Sequence, residues 1–161
     1  MCALEARAQM EVPEVTPFTA AQIRDATKAG RTYVYRIELP GSPIVLRTMC
    51  FGKVDADGAE LTVSMKRETG EPVGDPETKR VTWEDLRKHA EFPKTSVTIS
   101  ESELEVLSGT RTCTVYTVCE GKSVTCFFFA KDLPGAPVLF HTEEDGARVV
   151  TSLLVSHDDG T

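Results

Sequence analysis

Residues 127–142 read Phe-Phe-Phe-Ala-Lys-Asp-Leu-Pro-Gly-Ala-Pro-Val-Leu-Phe-His-Thr and contain four of the seven phenylalanines. Apolar segments flank the Leu-Pro-Gly-Ala-Pro sequence, in which Pro134 presets φ and Gly135 supplies a positive φ, as a type II turn requires. A similar sequence stands 94 residues earlier, at residues 33–48: Tyr-Val-Tyr-Arg-Ile-Glu-Leu-Pro-Gly-Ser-Pro-Ile-Val-Leu-Arg-Thr. The pattern therefore predicts two β-hairpins of the same type, which we expect to form the β core.

The composition is that of one globular domain. The chain has 161 residues, of which 40% are hydrophobic and 27% are charged, and a chain of this length buries roughly two-thirds of its unfolded surface. The net charge of −7 opposes binding to nucleic-acid phosphates and to anionic lipid surfaces. No apolar run approaches the ~18 residues of a membrane span. We therefore predict no nucleic-acid partner and no integral membrane segment, while the oligomeric state stays unknown.

The N-terminal sequence and the cysteines bear on the compartment. No basic segment followed by an apolar segment opens the chain, which predicts a cytoplasmic protein as written. Residues 6–8, Ala-Arg-Ala, have the form of a signal cleavage site, so a periplasmic or secreted protein follows if the start is incomplete. The five cysteines show no Cys-x-x-Cys spacing, which opposes a zinc knuckle. We expect buried free thiols, or one disulfide between neighbouring strands if the protein is exported.

Two segments carry the start signals of helices. Thr19 and Gln22 have the spacing of a capping box, and Thr82 and Asp85 repeat that spacing. We predict helices over residues 19–29 and 82–91 as the only ones longer than two turns. The single tryptophan, Trp83, is expected to pack against the sheet.

Most of the remaining chain has the period-2 alternation of β-strands. Residues 97–106 are expected to form two short strands around a turn at Ser100. Residues 68–80 contain two prolines and two glycines and are predicted to form a long mobile loop, which is our candidate gate. The predicted organisation is a loose N-terminal tail, a single β-rich domain and a polar C-terminal tail, over residues 1–17, 18–156 and 157–161.

Several late strands are apolar on both faces. Phe127 and Phe129 lie on one face of their strand, and Cys126 and Phe128 lie on the other. A sheet covered on one side alternates apolar and polar residues, so this sheet is expected to curl around a filling element or to close on itself. The predicted fold is therefore α+β and mainly antiparallel β. It has about seven to nine strands in a strongly curved sheet, either a half-barrel or a small barrel, with two helices.

The order of elements is similar to that of bacterial half-barrel carriers of the lipoprotein-carrier type. A helix precedes a long meander, a tryptophan-containing helix is inserted after the third strand, and further meander follows. The segments 129–137 and 83–93 also resemble a family of small bacterial proteins. The resemblance covers residues 18–156. It implies a curved antiparallel sheet around an apolar cavity that helices plug, with lipid or acyl chains as cargo.

No arrangement of side chains predicts catalysis. The histidines have no His-x-His or His-x-x-x-His spacing, so we expect solvated side chains rather than metal ligands at His89, His141 and His157. Neither Gly-x-Ser-x-Gly nor a phosphate-binding glycine loop occurs. The strand cysteines have no identifiable base in sequence, although one of them can pair in space with His141: Cys113, Cys119 and Cys126. We predict no catalytic residue, no metal and no cofactor.

These observations favour a non-catalytic binding module with an apolar interior, for a lipid or another hydrophobic small molecule. The candidate ligand-binding residues share side chains that offer dispersion and few hydrogen bonds: Ile37, Met49, Met65, Trp83, Phe128 and Leu153. Two alternatives stay open. One is a structural or protein-interaction domain with a solid core, and the other is a small enzyme that uses scattered cysteine and histidine residues.

Overall fold

The computed structural model describes residues 14–161, and the predicted tail over residues 1–17 lies mostly outside this range. Eleven strands and two helices follow one another along the described chain. Their bounds are β1 (Glu14–Val15), α1 (Ala20–Ala26), β2 (Thr32–Glu38), β3 (Val45–Val54), β4 (Gly58–Arg67), β5 (Glu77–Thr82), α2 (Trp83–Lys88), β6 (Phe92–Pro93), β7 (Val97–Val106), β8 (Gly109–Glu120), β9 (Ser123–Ala130), β10 (Leu139–Glu144) and β11 (Ala147–Asp158).

Both predicted helices form, and both begin at the predicted caps. The Gln22 amide donates to Thr19 Oγ1 at 3.1 Å, and the Thr19 amide donates to Gln22 Oε1 at 2.9 Å. Thr82 and Asp85 exchange the same two bonds at the start of α2, at 3.0 and 3.1 Å. Both helices are shorter than predicted. The first ends because Thr27 adopts an extended backbone and its hydroxyl donates back to the Ile23 carbonyl.

Nine strands form one antiparallel sheet in the order β5-β4-β3-β2-β11-β10-β9-β8-β7, and β1 pairs separately with β6. The sheet is open because its edge strands β5 and β7 do not pair with each other, and it is not strongly curled. A small closed barrel is therefore the wrong architecture, and the strong curvature of a half-barrel is not supported. Antiparallel β structure with two helices is confirmed.

The predicted barrel and the observed open sheet differ because of the apolar residues on the face of the sheet that the helices do not cover. In cross-strand register, Phe128 pairs with Leu139, which pairs with Leu153. All three side chains are of intermediate exposure. A face that keeps its apolar side chains half-buried needs neither closure nor a second complete layer, so two-faced apolar patterning did not require a barrel.

The two Leu-Pro-Gly sequences have different structures. The first is the predicted tight turn of the β2–β3 hairpin, in which Gly41 has φ of 76° and the Ser42 amide donates to the Leu39 carbonyl. The second lies in a longer connection over residues 131–138. There Gly135 has φ of 141°, and the Val138 amide donates to the Phe128 carbonyl, which draws the end of the connection into the sheet.

Two other segments contain more strand than predicted. Residues 97–106 form the continuous edge strand β7, in which Ser100 pairs with Val115 instead of turning. Part of the predicted loop at 68–80 forms the opposite edge strand β5, where the hydroxyls of Thr78 and Thr62 are 2.8 Å apart. Exposed residues follow one another in both segments, because an edge strand has neighbours on one side only. The polar sequence there indicated exposure and not an absence of strand pairing.

The two helices contact each other and cover one face of the β2–β5 part of the sheet. The covered face carries the buried aromatic core, with Tyr33, Tyr35 and Phe51 each at most 5% exposed. No described helix has the length and apolar character needed to cross a membrane. The cysteines of the described range are unpaired thiols: Cys50, Cys113, Cys119 and Cys126.

Candidate ligand-binding site

A cavity of about 280 Å³ lies between the helices and the covered face of the sheet. Its apolar walls come from the sheet, from both helices, from the segment that follows α2 and from the connection before β10: Ile23, Met49, Phe51, Leu61, Val63, Val81, Leu86, Ala90, Phe129, Ala136, Pro137 and Phe140. Its polar lining groups are Thr27, Arg31, Tyr33, Tyr35, Arg47, Lys79, His89 and Ser152. The cavity is thus apolar over most of its wall and basic where it is polar.

Arg31 is the most deeply buried charged residue of the described chain, at 1% exposure. Its backbone is fixed to β3, because the Phe51 amide donates to the Arg31 carbonyl at 2.9 Å. Its guanidinium donates to Thr27 Oγ1 at 3.1 Å and to His157 Nε2 at 3.3 Å, and it lies 4.9 Å from the centre of the Tyr33 ring. No carboxylate in residues 14–161 forms an ion pair with it.

Tyr33 and Tyr35 stand side by side on β2 because side chains two residues apart share a face. Their rings are nearly parallel, with centroids 6.1 Å apart. Both hydroxyl oxygens are buried and have no hydrogen-bond partner among the residues that the structure describes. Burial raises the pKa of Tyr33 to about 12, against the opposing effect of Arg31, and burial also raises the pKa of Tyr35. Both phenols therefore keep their protons at neutral pH and are available as donors.

Gly135, in the second Leu-Pro-Gly sequence, lies against this polar end of the cavity. A Cβ at this position would stand 2.6 Å from Tyr33 Oη and 3.4 Å from Arg31 Nη1. A methyl group does not fit there, so the glycine lets the connection pack closely against both groups. The glycine is therefore needed for space as well as for its positive φ, and the connection over residues 131–138 helps to shape the site.

His157 lies beside Arg31 and Tyr33, although the sequence predicted a solvated side chain in a polar tail. Strand β11 extends to Asp158, and the His157 imidazole is 8% exposed, with its centroid 4.9 Å from that of the Tyr33 ring. Burial, and then the neighbouring Arg31 guanidinium, lower the pKa of His157, while Asp159 opposes them. Neutral His157 can accept from Arg31, and protonated His157 cannot.

Mild acid is expected to destabilise the protein partly through His157. The pKa of His157 is lower in the folded state than its unfolded value of about 6.5, so the unfolded chain binds the proton first. This contribution to stability is fully present above pH ~6.5 and is lost as the pH falls through the folded-state pKa. We expect Tm to fall between pH 7 and pH 5, with a shallower fall in the His157→Gln variant. Equal slopes in the two proteins would contradict this assignment.

The structure brings few of the predicted ligand-binding residues together. Met49 lines the cavity. Ile37 packs against the core from the same face of the sheet, and Met65, also on that face, is 42% exposed. Phe128 and Leu153 lie on the opposite face.

Trp83, the remaining predicted ligand-binding residue, is buried in the core outside the cavity lining, and its indole donates to the Asp55 and Ala56 carbonyls. Of the predicted gate, Lys79 lines the cavity and residues 68–76 do not.

Among the described residues, the scattered cysteines and histidines form no thiol–imidazole hydrogen bond and no group of metal ligands. Cys126 and His141 are cross-strand neighbours, but the thiol lies 3.6 Å from the Thr117 hydroxyl, and the buried His141 Nδ1 has no partner in the described part of the chain. Burial, with a smaller effect of Arg148, lowers the pKa of His141. Within residues 14–161, no group of three potential metal ligands occurs.

Sequence reasoning missed Arg31 and the two tyrosine hydroxyls as the polar part of the site. The available signal was the two-residue alternation of side chains along a strand. Arg31 stands two residues before Tyr33 and is therefore expected on the same, buried side. No protein-family profile, curated protein or solved structure matches this chain. The functional assignment accordingly depends on the geometry of the cavity.

Proposed function

We propose that the protein is a non-catalytic binding module whose cavity holds a small hydrophobic molecule. The observation that supports this proposal is the 280 Å³ space between the helices and the sheet, walled mainly by apolar side chains. Small-molecule sites are concave, mostly apolar and about 300–1,000 Å³ in volume, with a few polar groups that orient the ligand. This cavity is slightly smaller than that range, which favours a short acyl chain or a single aromatic system.

Burial supplies the driving force for such a ligand. At about 25 cal/mol per Å² of apolar surface, a ligand that buries a few hundred Å² gains several kcal/mol before the cost of ordering. The resemblance to half-barrel carriers supports the same class of ligand, with lipid or acyl cargo. In this chain the cover over the ligand comes from α1 and α2 on an open sheet.

Filling the cavity is expected to abolish binding. Ala90 follows α2 and lines the cavity, so Ala90→Phe places a ring in the space that the ligand needs. We expect the neutral solvatochromic dye prodan to bind the wild-type protein saturably, with a blue-shifted emission, and to bind Ala90→Phe at least about tenfold more weakly.

The matched control is Ala147→Phe, at an exposed position that opens β11. It should bind prodan as the wild-type protein does. If the wild-type protein shows no saturable binding, the proposed function is wrong. If Ala90→Phe and the wild-type protein bind equally, the dye occupies another place and this cavity is not the site.

A further inference from the structure

The polar end of the cavity holds three buried donors with unused hydrogen-bonding capacity. Arg31 has five N–H groups and no carboxylate partner within residues 14–161, and the hydroxyls of Tyr33 and Tyr35 have no hydrogen-bond partner in the same range. A buried charge without a counterion and a buried hydroxyl without a partner are both costly. An acceptor supplied by a ligand would satisfy all three groups together.

The charges around the cavity determine the sign of that acceptor. Its lining contains Arg31, Arg47, Lys79 and His89 and no aspartate or glutamate of the described chain. The whole chain has 25 acidic residues against 18 lysines and arginines, so the cavity is basic in an acidic protein. Arg31 and Arg47 both act on the Tyr35 hydroxyl, where they oppose the effect of burial on its pKa. This environment favours an anion and disfavours a cation.

We infer that the ligand carries a carboxylate, which accepts hydrogen bonds from Arg31, Tyr33 and Tyr35 while its apolar part occupies the rest of the cavity. This inference rests on the proposed function and adds the chemical class of the ligand. Tyr33 Oη and Arg31 Nη1 both lie within 3.4 Å of one point, the position that a Cβ on Gly135 would take. Tyr35 lines the same cavity, with its ring centroid 6.1 Å from that of Tyr33. The three donors therefore lie at one end of the cavity, as donors to a single small group must.

A monocarboxylate fits this end of the cavity better than a phosphate. Arg31 is the one cation in the described chain that is both fully buried and part of the cavity lining, and a planar guanidinium matches a planar carboxylate. The tyrosine hydroxyls add two neutral donors. A phosphate dianion would bring a second negative charge to the buried end, where no second buried cation compensates it.

The test compares octanoate with 1-octanol, which has the same apolar chain and no charge. Isothermal titration calorimetry of the full chain at pH 7.5 is expected to show octanoate binding at least about tenfold more tightly than 1-octanol, because hydrogen bonds to a charged group are the stronger kind. Octyl phosphate is expected to bind more weakly than octanoate.

Tyr33→Phe and Tyr35→Phe test the site without depending on Arg31, whose replacement also removes its bonds to Thr27 and His157. Neither variant removes a hydrogen bond found in residues 14–161. Each is expected to weaken octanoate binding about three- to tenfold and to leave 1-octanol binding unchanged. The matched control is Tyr116→Phe, at the remaining tyrosine, which is buried outside the cavity lining. It should bind both ligands as the wild-type protein does.

Each outcome has a distinct consequence. If 1-octanol binds and octanoate binds no more tightly, or if neither Tyr33→Phe nor Tyr35→Phe weakens octanoate binding, the carboxylate inference is overturned and the hydrophobic binding function stands. If octyl phosphate binds more tightly than octanoate, the anion is a phosphate and the inference is again overturned. If prodan binds and neither octanoate nor 1-octanol does, the carboxylate inference is overturned and the binding function stands. If prodan does not bind either, the inference and the proposed function both fail.

Discussion

Alanine at position 58 is expected to destabilise the protein by about 3 kcal/mol or more, a value at the upper end for overpacking. Gly58 opens β4 and pairs with Thr82, the N-cap of α2. A Cβ on Gly58 would lie 2.0 Å from the Val81 carbonyl oxygen and 2.9 Å from Thr82 Cα. Both are backbone atoms, so no side-chain rotation relieves the contact. The start of α2 and the β4–β5 pairing must therefore shift together.

Urea denaturation followed by circular dichroism measures this effect. The matched control is Gly109→Ala, because Gly109 also opens a strand and a Cβ there would meet nothing within 4 Å. We expect a large fall in the unfolding midpoint for Gly58→Ala and a change within about 0.5 kcal/mol for Gly109→Ala. Similar midpoints for the two variants would show that β5 is not held against β4 as described.

Trp83→Ala is expected to cost about 3–5 kcal/mol, the usual range for a large buried aromatic residue. Trp83 is 5% exposed, and its indole N–H donates to the carbonyls of Asp55 and Ala56 at 3.2 and 3.0 Å. It therefore joins the first turn of α2 to the β3–β4 turn. Removing it leaves a cavity under the helix and breaks this connection.

The Trp83→Phe variant separates packing from hydrogen bonding. It keeps an aromatic ring in the core and loses the indole donor, so we expect a smaller loss than for Trp83→Ala. Because the chain has one tryptophan, its fluorescence is lost in both variants, and far-ultraviolet circular dichroism is the appropriate signal. A change near zero for Trp83→Ala would show that α2 does not depend on this side chain.

Local signals in the sequence predicted local structure well. The capping boxes at Thr19 and Thr82 involve residues three positions apart, and both form as predicted. The turn at Gly41 is also local, and its positive φ was expected. Closure of the sheet is a different kind of property, because it requires pairing between β5 and β7. Alternation within a strand shows which faces are apolar and does not show whether distant edges meet.

The candidate site was predicted poorly for a related reason. Apolar strand residues are far more numerous than cavity-lining ones, so hydrophobicity alone selected Phe128 and Leu153 on the wrong face for this cavity. The informative residue was Arg31. It is charged, and because residues 31, 33 and 35 are each two positions apart, it lies on the same side of the strand as Tyr33 and Tyr35. A charged residue on the buried side of a strand is uncommon and calls for a partner.

The pairing of β2 with β11 has a consequence for the order in which the protein is assembled. It joins residues 32–38 to residues 151–158, and contacts between such distant segments form slowly because a long loop must close first. During synthesis β2 can pair with β3, but its other edge stays unpaired until β11 has left the ribosome. Tyr33 and His157 pair with each other in this junction, Arg31 directly precedes it, and Gly135 lies between the two strands in the sequence. The cavity is therefore absent from any partly made or partly folded chain, and a ligand can stabilise only the finished one.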